Sequence, residues 1–174
     1  MTLPFTIRRL ARAEARQAAS ALADVLADCV AGGASVSFMA DMTHADAEAF
    51  WRDQADADDG RVILVAEDAS GIAGVVQVIP AWPPNQPHRA DVSKLLVHRR
   101  ARGHGAAKAL MIAAEREALA IGRTLLTLDT VEGSAAEALY TGLSWTRVGV
   151  IPDYALMPDS ALAATVVFFK ALRP

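Results

Sequence analysis

"VHRRARGHGAAKALM", residues 97–111, sets three arginines and a lysine around two glycines, between an apolar run and an amphipathic one. A strand that feeds a glycine-bearing turn into a helix start aims several main-chain N–H groups at one spot, and the helix dipole adds partial positive charge there. Gly103 and Gly105 let the backbone approach a ligand with no Cβ in the way, while Arg102 adds a fixed charge and a donor fork. A diphosphate suits that chemistry. The stretch lacks the third small residue of the dinucleotide fingerprint, and the chain has no Gly-x4-Gly-Lys-Ser/Thr pattern of nucleoside triphosphatases.

The loop stands out against a mildly acidic background. The chain has 174 residues, 53% hydrophobic and 21% charged, with a formal net charge of -3, which suits one globular domain over residues 1–174. No polyanion partner such as nucleic acid is implied, so the local positive charge points to a small anionic ligand. Cys29 is the only cysteine, which excludes an intrachain disulfide and a cysteine metal cluster. No metal-ligand constellation is visible. With no signal-peptide core and no run of about 18 apolar residues, a cytoplasmic protein is expected, as monomer or homodimer.

Outward from the loop, "ADVSKLLVH" reads as a strand before it, and Leu110, Met111, Ala114, Ala118 and Ile121 mark the buried stripe of a helix after it. "RTLLTLDTV" is the next strand. Ser134 and Glu137 have the spacing of a capping box, opening a short helix that Gly142 would close. "TRVGVI" and "ATVVFFKAL" supply two last strands. Upstream, "PFTIRRL" predicts an edge strand, and Ala15, Ala18, Leu22, Val25, Leu26 and Cys29 predict one long helix stopped by Gly32 and Gly33. A second helix opens at Thr43, with Asp46 as capping partner. Arg61–Glu67 and Ile72–Ile79, joined by "DASG", form a hairpin. "PAWPPNQPHR" packs four prolines into ten residues and must be a surface connection, and it is also a candidate binding rim. The order β-α-α-β-β-β-α-β-α-β-β predicts a mixed α/β single sheet with no internal repeat.

Arg102-Gly103-His104-Gly105-Ala106-Ala107 resembles the R/Q-x-x-G-x-G/A motif with which the GNAT superfamily of acetyltransferases holds the pyrophosphate of acetyl-CoA. The setting is similar too: strand, motif, helix, strand, then a helix carrying a tyrosine. "GGASVSFMADM", "AEDASG", "RADVSKLLV", "LLTLDTVEGSAAEALYTGLSWTRVGVIPDYAL" and "VVFFKAL" resemble the tabtoxin-resistance type of that superfamily over nearly the whole chain. That type acetylates a small β-lactam amino-acid toxin. The resemblance implies a twisted, mostly antiparallel sheet of about seven strands with about four flanking helices, whose fourth and fifth strands splay apart to admit acetyl-CoA. It implies that Leu95, Leu96 and Val97 offer main-chain hydrogen bonds to the pantetheine arm, that Arg102, Gly103, His104, Gly105, Ala106, Ala107 and Ser134 hold the coenzyme, and that Tyr140 faces its sulfur. Many relatives carry a proline where this chain has Arg99.

Acetyl transfer from a thioester to an amine requires a neutral amine held against the carbonyl, a donor for the developing oxyanion and a partner for the leaving thiolate. An alkylamine with a pKa of about 10.4 is neutral only about one part in 10³ at pH 7, equivalent to about 4 to 5 kcal/mol of lost reactivity. Asp129 and then Asp91 are the carboxylates best placed to attract the cationic amine or serve as base, although either would also satisfy main-chain N–H groups near a strand end. His88, Glu132 and Asp153 are reserves. Tyr140 is the candidate donor to the departing sulfur, because full proton transfer from a phenol near pKa 10 to a thiolate near 8.5 is uphill by about 2 kcal/mol. The oxyanion donor expected is a main-chain N–H near Leu96. Ser37, Phe38, Met39, Trp82 and Tyr154 are candidate acceptor contacts, whereas Trp51, Phe168 and Phe169 read as core. The expectation is an acetyl-CoA-dependent N-acetyltransferase of a small amine, a toxin or antibiotic among the candidates. A non-catalytic acyl-CoA-binding module, a protein or peptide N-acetyltransferase, and an interaction protein with an accidental loop are the alternatives.

Overall fold

The computed structural model describes residues 5–173. Seven strands form one sheet: β1 (Thr6–Arg9), β2 (Val62–Asp68), β3 (Gly71–Pro80), β4 (Arg89–Val97), β5 (Leu125–Val131), β6 (Thr146–Leu156) and β7 (Leu162–Ala171). Their spatial order is β1-β2-β3-β4-β5-β7-β6, so "TIRR" is an edge strand as its length and composition predict. Every pair is antiparallel except β4 with β5. Five helices flank the sheet: α1 (Arg12–Gln17), α2 (Ala19–Ala31), α3 (His44–Asp56), α4 (Ala106–Ala120) and α5 (Ala135–Gly142). None is long and apolar enough to cross a membrane.

The single long first helix expected from the sequence is two. The break at Ala18 contains neither Gly nor Pro and keeps its hydrogen bonds, Ala18 N–H to Glu14 at 2.8 Å and Leu22 N–H to Ala18 at 2.9 Å. It lets α1 lie on α3 while α2 reaches the sheet under β3 and β4. Thr43 caps α3 as its spacing requires: Thr43 Oγ1 accepts from the Asp46 N–H at 3.2 Å and Asp46 Oδ2 accepts from the Thr43 N–H at 2.9 Å. Ser134 caps α5 in the same way, accepting from the Glu137 N–H at 3.3 Å. Glu137, however, reaches back to the Gly133 N–H at 2.6 Å rather than to Ser134, and the helix runs through Gly142 to a cap at Leu143.

Alternation along β2 and β3 sends side chains to both faces, and each face is covered. Val62, Leu64, Val76, Val78, Leu110, Met111, Leu126 and Phe168 make the core under α4 and α5. Leu22, Leu26, Trp51, Ile63, Val65, Val75 and Leu96 make the core under α1, α2 and α3. Trp51 and Phe168 are buried as expected, while Phe169, on the opposite face of β7, is only half-buried.

Two features open the sheet at its centre. β4 and β5 pair only from Arg89 to Asp91 against Leu125 to Thr127, after which β4 stays with β3 and β5 stays with β7. Lys94, at φ 52°, and Leu95 together oppose the single residue Val76, a bulge that bends β4 away. Beyond Asp91 the two strands present facing main-chain edges that do not pair with each other. Unpaired backbone in the middle of a sheet is costly unless water or a ligand pairs it.

Candidate active site

At the open end of that gap β4 runs into a 3₁₀ turn at Arg99–Ala101 and then into α4. Gly103 (φ 77°) and Gly105 (φ 86°) occupy the left-handed region, and Gly105 is the N-cap of α4 with no side chain to offer. The first bond of the helix runs from the Ala109 N–H to the Gly105 carbonyl at 3.0 Å. Consequently the six consecutive N–H groups of residues 103–108 have no acceptor among the described residues. This concave run of donors at a helix start is an anion site built from main chain.

The arginines around it are differently disposed than their crowding in the sequence suggests. Arg100 pairs with Asp68 and donates to the Gly71 and Ile72 carbonyls at 3.3 and 3.1 Å. Arg99 pairs with Asp28. Arg102 donates through Nε to the Val97 carbonyl at 3.0 Å, and its outer nitrogen lies 3.7 Å from Cys29 Sγ and from Asp28. Arg102 directly precedes the N–H run, with its guanidinium turned to the C-terminal end of α2. His104 folds back, its Nδ1 2.8 Å from the Arg102 carbonyl oxygen. The buried Cys29 thiol is pushed up in pKa by its burial, which keeps it protonated and unreactive.

The strand edge along the gap follows from register. The His98 N–H bonds the Ala73 carbonyl at 2.9 Å, and Val75 opposes Leu96, so Leu96 turns its main-chain groups to β3. The Val97 N–H turns to the gap, its carbonyl being taken by Arg102 Nε at 3.0 Å, and the bulge takes Leu95 out of the ladder. Of the three main-chain positions expected along the pantetheine arm, Leu95 and Val97 therefore face the opening and Leu96 does not.

Tyr140 lies on the far wall, from α5. The residue is 5% exposed, its ring packed at a tilt with centroids 5.9 Å from both Trp145 and Phe168, yet among the described residues its hydroxyl has no partner, and it is not sealed from solvent. Burial first, and the charge of Asp129 second, push its pKa well above the usual phenol value. Asp129 is exposed on β5 and accepts from Thr165 Oγ1 at 2.8 Å. Asp91, at the closed apex, is engaged by Arg89 at 2.5 Å and by the Thr127 hydroxyl.

Lys94 is the residue that sequence reasoning missed. From the bulge its ammonium reaches Ser37 Oγ at 3.1 Å and lies 5.6 Å over the Phe50 ring. Burial lowers its pKa, against the opposing pull of Asp129, and it makes no salt bridge among the described residues. A signal was present: apolar residues fall at Ala90 and Val92, then shift phase to Leu95 and Val97, as a strand bulge requires. Phe38 packs edge-on to Phe50 at 5.1 Å, and Met39 is half-buried beside it in sequence. The loop carrying them is tied to the β6–β7 hairpin, Ala40 N–H to the Pro158 carbonyl at 3.2 Å and Ser35 Oγ to the Leu156 carbonyl at 3.2 Å. Tyr154, 54% exposed, lies on β6 near that junction.

Other candidates lie elsewhere. Trp82, 90% exposed, and His88 belong to the proline-rich connection, which leaves the sheet where β4 and β5 are paired, at the closed end. Glu132 pairs with Arg147 at 3.3 Å, Asp153 is exposed at φ 51° on β6, and Ser134 spends its hydroxyl on the α5 cap.

The model of the acetyltransferase (GNAT) family matches residues 15–143. Solved structures share the fold at low identity. A ribosomal-protein-alanine N-acetyltransferase from Brucella melitensis is 20% identical with a TM-score of 0.77, covering 96% of this chain and 99% of that one. A putative acetyltransferase from Salmonella typhimurium, solved with its cofactor acetyl-CoA, is 17% identical with a TM-score of 0.79, covering 98% and 95%. A phosphinothricin acetyltransferase from Sinorhizobium meliloti, in complex with acetyl-CoA, is 18% identical with a TM-score of 0.79, covering 97% and 89%.

Proposed function

The chain belongs to the acetyltransferase (GNAT) family, and we propose that it moves the acetyl group of acetyl-CoA to the amino group of a small acidic molecule by direct attack in a ternary complex. It is an acetyl-CoA-dependent N-acetyltransferase; the acceptor and the residue roles are our reading. The observation that carries that reading is the opening between β4 and β5, with six unpaired N–H groups at one end and the unpartnered Tyr140 hydroxyl on its far wall.

Those features fit the coenzyme. The N–H groups of residues 103–108, which Arg102 directly precedes, hold the diphosphate, and Leu95 with the Val97 N–H runs along the pantetheine arm. A main-chain N–H on the gap-facing edge of β4, rather than one of the diphosphate loop, receives the charge that develops on the carbonyl oxygen, in a site whose donors need no reorganisation. Tyr140, kept protonated by its burial, donates a hydrogen bond to the departing sulfur. Asp129 draws the cationic amine in and, through water, takes up the proton that the amine must lose. Asp91, spent on Arg89 and Thr127, shapes the apex instead.

Lys94 supports an acceptor with an acidic group. A half-buried ammonium whose direct contacts among the described residues are a hydroxyl and a ring gains most from an incoming carboxylate. Asp129 and Lys94 thus offer opposite charges to a zwitterion, in line with the amino-acid toxin acceptors of the tabtoxin-resistance type. The bonds joining the 35–40 loop to the β6–β7 hairpin close one side of the gap, which favours a small molecule over a peptide.

Thiol release from acetyl-CoA across amino acids, a β-lactam amino acid, polyamines, aminoglycosides and peptides tests this. Turnover led by acidic small amines is expected. Peptides leading the panel would overturn the acceptor class, and silence with acetyl-CoA bound would make the chain a non-catalytic binder.

A further inference from the structure

The diphosphate loop has an anchor outside its own motif. We propose that Asp28, in the last turn of α2, holds the loop in its ligand-ready shape by gripping the main chain at Arg99. An acidic side chain is unfavourable near a helix C-terminus, where the macrodipole is negative, so its presence there calls for compensation. Compensation comes from the loop. Asp28 Oδ2 accepts the Arg99 main-chain N–H at 2.8 Å, its other oxygen pairs with the Arg99 guanidinium, and His98 Nε2 and Arg102 each lie 3.7 Å away. The carboxylate is 9% exposed. Burial alone would raise its pKa, but the Arg99 N–H and guanidinium and the His98 ring together hold it below the ordinary carboxylate range.

The backbone explains why Arg99 is the grip point. Arg99 is the first residue of the 3₁₀ turn, a position whose N–H has no partner within the turn and which proline suits. His98 before it, at φ -55° and ψ 141°, already has the extended conformation that a following proline imposes. A proline at position 99 would fix this turn by ring closure and leave no N–H in need of an acceptor. Here the N–H exists, and Asp28 both satisfies it and fixes the turn. The entropy that proline removes covalently is removed by a buried hydrogen bond between α2 and the loop. Asp28 touches no reacting atom; it is a positioning residue.

The inference rests on the diphosphate sitting at residues 103–108. Calorimetric titration of the full chain with acetyl-CoA, and with S-acetylpantetheine, which lacks the diphosphate, separates the two. Asp28→Ala should weaken acetyl-CoA binding about tenfold and leave S-acetylpantetheine unchanged. Asp28→Asn, which keeps an acceptor for the N–H, should fall between, and Arg99→Ala, which keeps the N–H itself, should bind nearly as the unmodified chain does. Adding Arg99→Pro to Asp28→Ala should restore most of the loss. Equal loss for both ligands would make Asp28 merely structural, and failure of the proline to restore binding would also overturn the proposal. If the unmodified chain binds both ligands equally, the diphosphate placement itself is wrong; if it prefers acetyl-CoA and Asp28→Ala binds it as tightly, only the role of Asp28 falls.

Discussion

Tyr140 and Lys94 show how one side chain's surroundings assign its work. Tyr140 buries its ring among Trp145 and Phe168 and leaves a neutral hydroxyl unpartnered, the arrangement of a donor awaiting an acceptor. Tyr140→Phe should lower kcat about 10²-fold with acetyl-CoA affinity within twofold, measured by thiol release and calorimetry; equal loss of both would indicate a packing role. Because its folded-state pKa is raised, Tyr140 stays protonated across the assay range. The rate should therefore climb from pH 7 toward pH 9 as the acceptor amine loses its proton, with no descending limb from the phenol, and the Phe variant should keep that profile's shape. Lys94→Met should raise the KM for an acidic acceptor about tenfold or more and leave that for a neutral amine nearly unchanged. An equal change for both would remove Lys94 from acceptor recognition.

Gly74 on β3 decides how closely α4 approaches the sheet. A Cβ there would stand 3.0 Å from the Leu96 carbonyl oxygen, 3.1 Å from Leu110 Cδ1 and 3.3 Å from Val97 Cγ2. Gly74→Ala should destabilise the protein by about 1–3 kcal/mol in denaturant unfolding and, by pushing the start of α4 outward, weaken acetyl-CoA binding. Unchanged values of both would show that the packing relaxes without cost. Elements of this kind were largely legible beforehand. The Asp-Ala-Ser-Gly turn, the Thr43 and Ser134 caps and the prolines of residues 80–87 each act through local chemistry, and the strands and helices they bound stand where that chemistry places them. The break at Ala18 was not legible, because no local residue causes it; the separate seats of α1 on α3 and α2 on the sheet do. The bulge at Lys94 was legible only as a phase shift in the hydrophobic pattern. The arginines at 99 and 100 looked available for a ligand because sequence does not show that Asp28 and Asp68 lie opposite them.

The whole molecule turns on one topological fact: among the described residues, the one parallel pair in the sheet is also the pair that comes apart. The crossover through α4 brings the N–H run to the end of β4, and β5 with α5 places Asp129 and Tyr140 across from it. In the function we propose, one gap through the sheet holds donor and acceptor together. No acyl-enzyme nucleophile is needed, and the one cysteine is buried with its thiol protonated. Initial rates of thiol release, with acetyl-CoA and an acidic amino-acid acceptor varied together, test this account most directly. Intersecting reciprocal plots are predicted, since both substrates must be bound before transfer; parallel plots, the mark of an acetylated enzyme, would contradict it.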